Sequence, residues 1–422
     1  MSTPQGLAAY IAVTAAYWAL MLSDGALRML VLLHFNTLGF SPIQLAYLFV
    51  LYELAGVITN LAAGWIAARF GLLSTLYAGL ALQIAALIAL TQLDPNWNVA
   101  ASVVFVMAVQ AVSGVAKDLT KMSSKSAVKL LAQSALGGLF RWVAILTGSK
   151  NAVKGCGFLL GAAGLGIIGF TSSILVLTGL LCAVLIALIL RMPAGLPQGK
   201  KDAKFRDVLS KNANVNWLSL GRVFLFGARD VWFGVGLPIY FYAVLSDGTP
   251  ESNRNAFFLV GSFMAVWIIL YGAVQAMAPR LLRARAKPHA ALVASARFWA
   301  GTLFFVPLCL TALALTVDTP ASWFTQVLVV GLLAFGALFA INSSLHSYLI
   351  LAFTSAERVT LDVGFYYMAN AAGRLIGTLL SGLSYQVGGL SLCLGLATGM
   401  IALSWVSVGR LNAREELEPL RP

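Results

Sequence analysis

Long apolar segments, separated by short polar ones, run along the whole chain. A helix needs about 20 apolar residues to cross the hydrocarbon core of a membrane, and about twelve such segments follow one another between Leu7 and Arg410. The chain has 422 residues, of which 60% are hydrophobic and 10% are charged. Soluble domains carry about 25% charged residues. The pattern therefore predicts an all-α integral membrane protein that is embedded in a lipid bilayer.

One long polar stretch interrupts the pattern near the middle of the chain. Residues 191–216 contain two prolines, two glycines and several basic residues, which is typical of a linker. We predict a six-helix bundle over 1–190, a basic cytoplasmic linker over 191–216, and a second six-helix bundle with a short tail over 217–422.

The distribution of charge between the loops predicts the orientation in the membrane. Lysine and arginine are concentrated in alternate loops, whereas the opposite loops contain Asp94, Asp247, Glu251 and Asp318, with Arg254 as their single basic residue. By the positive-inside rule, both termini are expected in the cytoplasm, with the chain in the inner membrane. The net charge of +13 is thus interpreted as a topology signal, and no nucleic-acid partner is predicted.

The two halves also repeat short patterns. Asp24 lies ten residues before a His-Phe pair, and Asp230 lies ten residues before a Tyr-Phe pair. The run Asn-Ala-Val-Lys at 151–154 resembles Asn-Ala-Ala-Gly-Arg at 370–374. Together with the predicted arrangement of six spans, a linker and six spans, these repeats indicate two pseudo-symmetric bundles, which is the major facilitator fold.

A short segment after the second predicted span supports the same fold. Residues 64–71 resemble the cytoplasmic loop motif of the major facilitator superfamily and keep its Gly64, Arg69 and Gly71. Ala68 stands where the motif has an acid, so gating contacts made by this loop are expected to differ.

Charged side chains interrupt several predicted spans and mark candidate sites. An ionised group at membrane depth costs several kcal/mol, and such groups almost always face a bundle interior or a wet cavity. The cations are Arg28, Lys117, Lys150, Lys154, Arg222, Arg229 and Arg374, and the acids are Asp24, Glu53, Asp118 and Asp230. Because seven cations face four acids, three cations remain in excess even if every acid is paired. This surplus favours a multiply charged anion as ligand and disfavours metal cations, apolar drugs and neutral sugars.

A ladder of lysines ends the fourth predicted span. Lys117, Lys121, Lys125 and Lys129 recur every four residues, which places them on one helix face. Lys117 is predicted to bind substrate, and Asp118 is interpreted as the partner that keeps it charged. For Lys125 and Lys129 the alternative is a basic cytoplasmic loop, because both lie beyond the end of the apolar run.

The remaining cations are assigned to the two ends of the anion. Arginine matches the oxygens of phosphate or arsenate with two parallel hydrogen bonds, and lysine supplies a point charge. We predict that the oxyanion ligands are Arg28, Arg229 and Arg374, and that Lys150 and Lys154 bind the other end.

Polar residues beside these cations complete the predicted site. Asn151, Asn370 and Tyr366 are predicted to line it, with interior packing as the alternative for Tyr366. Asp24 and Asp230 are predicted to orient or neutralise the arginines when the site is empty.

Other polar residues in the spans have two interpretations each. Glu53 and His346 are candidate proton carriers, but His346 lies four residues after Asn342, which favours a hydrogen-bonded packing role. Arg222 and Arg297 lie nearer the predicted cytoplasmic end, so extension of their side chains toward water is favoured. No metal site and no cofactor are predicted.

Four runs of sequence resemble one known family. They are TAAYWALMLSDGALRMLVLLHF at 14–35, LYELAGVITNLAAGW at 51–65, SGVAKDLTKMSSKSAVK at 113–129 and LTGSKNAVKG at 146–155. Over essentially its whole length the chain resembles the ArsJ-type organoarsenical efflux permeases. The resemblance implies export of 1-arseno-3-phosphoglycerate and thereby arsenate resistance, with glyceraldehyde-3-phosphate dehydrogenase as the functional partner that makes the compound.

Three alternatives to this function follow from the same residues. An organophosphate:phosphate exchanger of the same superfamily would use the same cations. A membrane enzyme acting on phosphorylated lipid would need a nucleophile or metal cluster, and His34, His289 and His346 are too dispersed to suggest one, so no enzymatic activity is expected. A sensor would need an appended soluble domain, which the predicted organisation lacks. The expected state is a monomer.

Overall fold

The computed structural model describes residues 3–132, 139–192, 210–282, 288–317, 321–354 and 358–412, and the regular structure in these ranges is helical. The thirteen helices are α1 (Thr3–Thr37), α2 (Pro42–Tyr47), α3 (Val50–Leu61), α4 (Ala63–Leu90), α5 (Val99–Ala132), α6 (Leu139–Ile168), α7 (Phe170–Arg191), α8 (Ala213–Phe233), α9 (Gly236–Leu245), α10 (Pro250–Leu281), α11 (His289–Ala314), α12 (Ser322–Phe353) and α13 (Val359–Gly409).

The helices are long and apolar enough to cross a membrane many times. Within the described residues there are eleven such segments, and the last, Leu361–Gly409, is 49 residues long. Gly388 and Gly389 leave the helical conformation inside α13 and divide this segment into two parts. The chain is therefore a multi-pass membrane protein, and the predicted all-α membrane fold is confirmed. The direction of the spans stays a prediction.

Two predicted spans are interrupted where the sequence predicted continuous helix. The second span consists of α2 and α3, separated at Leu48 and Phe49, and the seventh consists of α8 and α9, separated at Gly234 and Val235. Main-chain polar groups inside a membrane need a protein partner because no water is present. At the second break, Ser381 Oγ accepts hydrogen bonds from the N–H groups of Val235, at 3.1 Å, and of Gly236, at 3.0 Å.

Two glycines with positive φ make the sharp changes of direction inside long helices. Gly71 has φ 74° inside α4, between the second and third predicted spans, and Gly389 has φ 61° inside α13. Residues with a Cβ rarely adopt this region of φ, so glycine is the natural residue at both turns. Gly71 is also the last residue of the loop motif that the sequence keeps.

The chain divides into two compact units. Unit 1 comprises Met1–Phe40, Ala62–Phe205 and Leu245–Ile269, and unit 2 comprises Ser41–Leu61, Arg206–Val244 and Leu270–Pro422. This grouping differs from the predicted halves, because α2 and α3 belong to unit 2 and most of α10 belongs to unit 1. The predicted linker lies largely in 193–209, outside the described residues, so its role stays a prediction.

Glycines explain why these helices group in this way. A Cβ added to Gly382 of α13 would meet Pro42 O and would lie 2.5 Å from Ala46 Cβ, so α2 packs directly on α13 within unit 2. A Cβ added to Gly261 of α10 would lie 2.6 Å from Ala162 Cβ of α6 within unit 1. Such close approach of backbones is how membrane helices gain packing energy in the absence of a hydrophobic driving force.

In each unit, one pair of helices carries this close packing along several turns. In unit 1, Gly157 and Gly161 of α6 face the carbonyls of Leu22 and Ala26 of α1. In unit 2, Gly373 of α13 faces the carbonyl of Val223 of α8, and Gly377 faces that of Gly227. The α1–α6 and α8–α13 contacts therefore fix the positions of the charged residues that these four helices carry.

The close contact between α1 and α6 gives a test of the fold. Gly161→Ala should lower the thermal unfolding midpoint of the detergent-purified protein, because the new Cβ would lie 2.6 Å from Ala26 Cα. Overpacking of this kind costs about 1–3 kcal/mol. The matched control is Gly179→Ala in α7, where nothing lies within 4 Å of the new Cβ. It should leave the midpoint unchanged or raise it, since alanine is favoured over glycine inside a helix by about 0.5–1 kcal/mol. Equal midpoints for the two variants would contradict the described packing.

Candidate functional site

In unit 1, an ion pair joins α1 and α6. Lys154 Nζ lies 2.7 Å from Asp24 Oδ2, and Asp24 is 4% exposed. A Cβ on Gly25 would lie 2.5 Å from the carbonyl oxygen of Lys154, so the absence of a side chain at Gly25 lets the two charges meet. The sequence predicted that Asp24 orients or neutralises the arginines, whereas the structure pairs it with Lys154, which was predicted to bind substrate.

The other predicted cations of unit 1 flank this ion pair. Arg28 lies one turn after Asp24 on α1 and is half-buried. Lys150 and Asn151 lie one turn before Lys154 on α6 and are also half-buried. Residues spaced by three or four share a helix face. Two turns of α1 and two turns of α6 therefore carry all five of these predicted site residues.

The lysine ladder of α5 is only partly described. Lys117 is 8% exposed and Asp118 is 1% exposed, so both lie inside unit 1. Asp118 Oδ1 lies 3.4 Å from Lys121 Nζ, one turn along the same helix. Pairing of Asp118 with Lys117 stays a prediction. The side chains of Lys125 and Lys129 lie outside the described residues.

In unit 2, four charged groups from three helices form a network that we call the arginine–carboxylate quartet. It consists of Glu53, Arg229, Asp230 and Arg374. Arg374 donates from Nη2 to Glu53 Oε1 at 2.6 Å, and its Nε lies 3.5 Å from Asp230 Oδ2. Arg229 donates from Nε to Asp230 Oδ1 at 2.7 Å. Two acids and two arginines neutralise one another, which is the condition under which charge is tolerated in a low-dielectric interior.

Aromatic rings complete the surroundings of Arg229. Its guanidinium carbon lies 4.9 Å from the centre of the Phe226 ring, 5.6 Å from that of Phe339 and 5.9 Å from that of Phe233. Ring faces attract cations, and more strongly when water is excluded. The rings therefore hold the charge of Arg229 in place while Asp230 neutralises it.

A polar stripe of α13, formed at four-residue steps by Asp362, Tyr366, Asn370 and Arg374, divides between two environments. Arg374 joins the quartet, and the half-buried Asn370 lies one turn before it. Tyr366 is 1% exposed and packs near Arg222, with 4.9 Å between the guanidinium carbon and the ring centre. Asp362, at the start of the stripe, accepts a hydrogen bond from Thr354 Oγ1 at 2.7 Å.

Two interpretations of polar residues in the spans are wrong. Arg222 does not extend to water: it is 4% exposed and donates from Nη1 to Ser343 O at 3.1 Å and to Ser343 Oγ at 3.0 Å. His346 is fully buried, but neither ring nitrogen has a hydrogen-bond partner among the described residues. Asn342 is used elsewhere, because its amide donates to Trp299 O and to Leu338 O, each at 3.0 Å.

The sequence contains a pattern that indicates an inward-facing Arg222. The position of Arg222 near the start of a helix favoured exposure to water instead. Arg222, Phe226 and Arg229 are spaced by four and three residues, so they share one face of α8. The described residues contain no group of three or more His, Cys, Asp and Glu side chains that could hold a metal ion.

The repeats in the sequence correspond to equivalent contacts in the two units. Asp24 of α1 pairs with Lys154 of α6 at 2.7 Å, and Asp230 of α8 contacts Arg374 of α13 at 3.5 Å. In both units the base lies three residues before a glycine that packs on the helix of the acid. The contact between α1 and α6 in unit 1 therefore corresponds to the contact between α8 and α13 in unit 2, with an acid on the first helix and a base on the second.

Comparison with solved structures shows which fold this is. Over 95% of this chain and 98% of the other, it superposes on a mutant of the nucleoside transporter NupG with 16% identity and a TM-score of 0.69. A POT family transporter in complex with a thioalcohol-conjugated peptide gives 15% identity and a TM-score of 0.71, with 94% of each chain covered. A bacterial homologue of the iron transporter ferroportin, in an outward-facing state, gives 16% identity and a TM-score of 0.62 over 96% and 99% of the two chains.

No protein-family model and no curated protein matches the sequence. Each of the three similar structures is named as a transporter or a homologue of one. At this level of identity the likeness defines the fold and leaves the substrate open. The chain therefore shares the fold of these three structures.

Proposed function

We propose that this protein is a membrane transporter that exports a multiply charged organic anion by alternating access. The most specific candidate cargo is 1-arseno-3-phosphoglycerate, so that export would give arsenate resistance. Three observations support the proposal: the fold, the charged residues inside the spans, and the resemblance of four sequence runs to the ArsJ-type permeases.

The fold supports transport because each similar structure is named as a transporter, one of nucleosides, one of the POT family with a bound peptide conjugate, and one a homologue of an iron transporter. These cargoes differ widely, so the fold alone gives no substrate class. The substrate must be inferred from the side chains.

The observation that carries the proposal is the repeated acid–base contact at membrane depth. A buried ion pair adds little net stability, since the loss of hydration offsets most of the attraction between the charges. Two equivalent pairs, Asp24–Lys154 and Asp230–Arg374, are therefore poorly explained by stability alone. A role in binding explains them, because each acid can hold a cation in place until an anionic group replaces the carboxylate.

The balance of charge supports an anion as the proposed cargo. Seven cations and four acids lie in the spans, so a substrate with about three negative charges would neutralise the excess. In the proposed assignment, Arg28, Arg229 and Arg374 are the oxyanion ligands, and Lys150 and Lys154 bind the other end of the substrate. Lys117 is a further cationic ligand.

Residues without a fixed charge complete the proposed site. Asn151, Asn370 and Tyr366 supply hydrogen bonds to the substrate.

Glu53 is fully buried and pairs with Arg374, so it is the acid that could take up a proton when the substrate recruits that arginine. The energy source for transport depends on whether Glu53 takes up this proton.

Transport into everted membrane vesicles tests the cargo. Arsenate, glyceraldehyde-3-phosphate, NAD and glyceraldehyde-3-phosphate dehydrogenase are supplied together, and vesicle arsenic is measured. We expect accumulation only with the complete mixture, because the arseno-ester forms only when all four are present. Equal accumulation from arsenate alone would overturn the assignment, as would equal uptake of labelled 3-phosphoglycerate alone. Export of inorganic phosphate in exchange for an organophosphate would favour the exchanger.

Paired substitutions test whether Lys154 binds substrate or only neutralises Asp24. Lys154→Gln alone leaves a buried carboxylate without its lysine, which costs about 3–5 kcal/mol, so a loss of transport would be ambiguous. Asp24→Asn combined with Lys154→Gln removes both charges. We expect this double variant to keep normal thermal stability and to transport about tenfold less or worse, since a charge-assisted hydrogen bond to the cargo is lost.

The control for this test is a second neutralised pair. Arg358 Nε lies 3.7 Å from Asp362 Oδ1 at the start of α13, outside the proposed site. Arg358→Gln with Asp362→Asn should keep transport within about twofold of the parent protein, a free-energy change below about 1 kcal/mol. Recovery of full transport in the Asp24/Lys154 double variant would show that Lys154 has a structural role only.

A further inference from the structure

Arg222 is a buried cation whose charge is not balanced by an acid among its described contacts. Its side chain is 4% exposed, and in the described part of the chain its hydrogen-bond acceptors are the carbonyl and hydroxyl oxygens of Ser343. Arg229 and Arg374, the half-buried arginines of the quartet, each contact a carboxylate within 2.7 Å. A buried charge without an opposite charge is strongly unfavourable, so its retention needs an explanation.

The environment of Arg222 compensates its charge only in part. The guanidinium carbon lies 4.0 Å from the centre of the Phe226 ring and 4.9 Å from that of Tyr366, so two ring faces lie against it. Its Nε has no hydrogen-bond partner among the described residues. A guanidinium has five N–H donors in a fixed planar arrangement. Here the edge that includes Nε has no acceptor from the described chain.

Other buried polar atoms without partners lie in the same part of unit 2. His346 is fully buried with both ring nitrogens unpaired among the described residues, and Tyr366 Oη also lacks a hydrogen bond there. His346 lies one turn after Ser343, so both face α8 from the same side of α12. A Cβ on Gly221 would lie 3.5 Å from His346 Cε1, so the imidazole packs directly against the α8 backbone next to Arg222.

Buried polar groups in native proteins are nearly always hydrogen-bonded, and a cluster of exceptions needs a functional reason. Arg222, His346 and Tyr366 come from α8, α12 and α13, and each carries a buried polar atom without a hydrogen-bond partner among the described residues. We infer that these three residues form a subsite for one oxyanion group, of the phosphate or arsenate class. The inference rests on the proposed function, because this oxyanion would be one charged end of the transported anion.

The chemistry of the donors fits a tetrahedral oxyanion. The guanidinium supplies positive charge and directed N–H groups, the neutral imidazole supplies one N–H, and the phenol supplies one O–H. Ser343 holds the opposite edge of Arg222, and its hydroxyl is in turn 3.4 Å from Gln275 Nε2. Ser343 and Gln275 are therefore positioning residues, because Ser343 holds Nη1 of Arg222 while Nε keeps no acceptor among the described residues.

Thermal unfolding of the purified full-length protein with inorganic phosphate tests the subsite. A ligand that binds only the folded state raises the unfolding midpoint as its concentration increases. We expect phosphate, and arsenate likewise, to raise the midpoint of the parent protein, with sodium chloride at equal ionic strength as the reference. Arg222→Met should weaken the apparent affinity for phosphate about tenfold or more, because the only charged donor of the subsite is lost.

The choice of methionine separates binding from structural roles. Arg222 has no carboxylate partner in the described residues, so its removal leaves no acid unpaired, and the variant should be at least as stable as the parent without phosphate. The matched control is Arg297→Met on α11, whose parent side chain donates to Leu411 O at 2.8 Å. It loses the same charge and should keep phosphate affinity within about twofold.

Two results would overturn the subsite. One is an Arg222→Met variant that phosphate still stabilises as much as it does the parent protein. The other is a parent protein that phosphate does not stabilise while it exports the arseno-ester in vesicles; in that case the proposed function stands and the subsite fails. If Arg222→Met does not fold, Tyr366→Phe replaces it, because that change removes one hydroxyl of the subsite and keeps the ring. Unchanged phosphate affinity in Tyr366→Phe would then contradict the subsite.

Discussion

A carboxylate among apolar helices is stabilised by a cation that reaches it, and a cation on another helix reaches it only where the two helices come close together. In this protein the same glycines meet both needs. Gly25 brings the backbone of α1 against that of α6 beside Asp24 and Lys154, and Gly377 does the same for α8 and α13 beside Asp230. Packing and electrostatics therefore cannot be changed independently at these positions. A residue that separated the helices would also separate the charges.

The arginines inside unit 2 fall into two kinds. Arg229 and Arg374 are half-buried and contact carboxylates of the protein. Arg222 is buried and contacts a serine and two aromatic rings, with no carboxylate among its described contacts. Cations that carboxylates neutralise are tolerated in a low-dielectric interior at low cost, whereas a cation without a carboxylate attracts an anion.

Much of the fold follows from the sequence, because membrane spans depend on local composition. Runs of about 20 apolar residues predicted the helices, and the spacing around Asp24 and Asp230 predicted an internal repeat that the two acid–base contacts now explain. Features that depend on contacts between remote segments were not predicted. The break at Val235 requires Ser381 as acceptor, and the place of α2 in unit 2 requires Gly382. Arg222 was misinterpreted for the same reason, since distance from a helix end does not show what covers a side chain.

Asp230 contacts two arginines, one through each carboxylate oxygen: Arg229 through Oδ1 and Arg374 through Oδ2. When one arginine moves away, the other still neutralises the carboxylate, so the acid can exchange partners without passing through an isolated charged state. An exchange of this kind has a lower electrostatic barrier than the separation of a simple pair, in which both ions must lose their partners at once. Arg374 also contacts Glu53, so it too keeps a carboxylate partner if its contact with Asp230 is lost. The quartet is thus a network in which the loss of the contact between Asp230 and Arg374 leaves no member without an opposite charge.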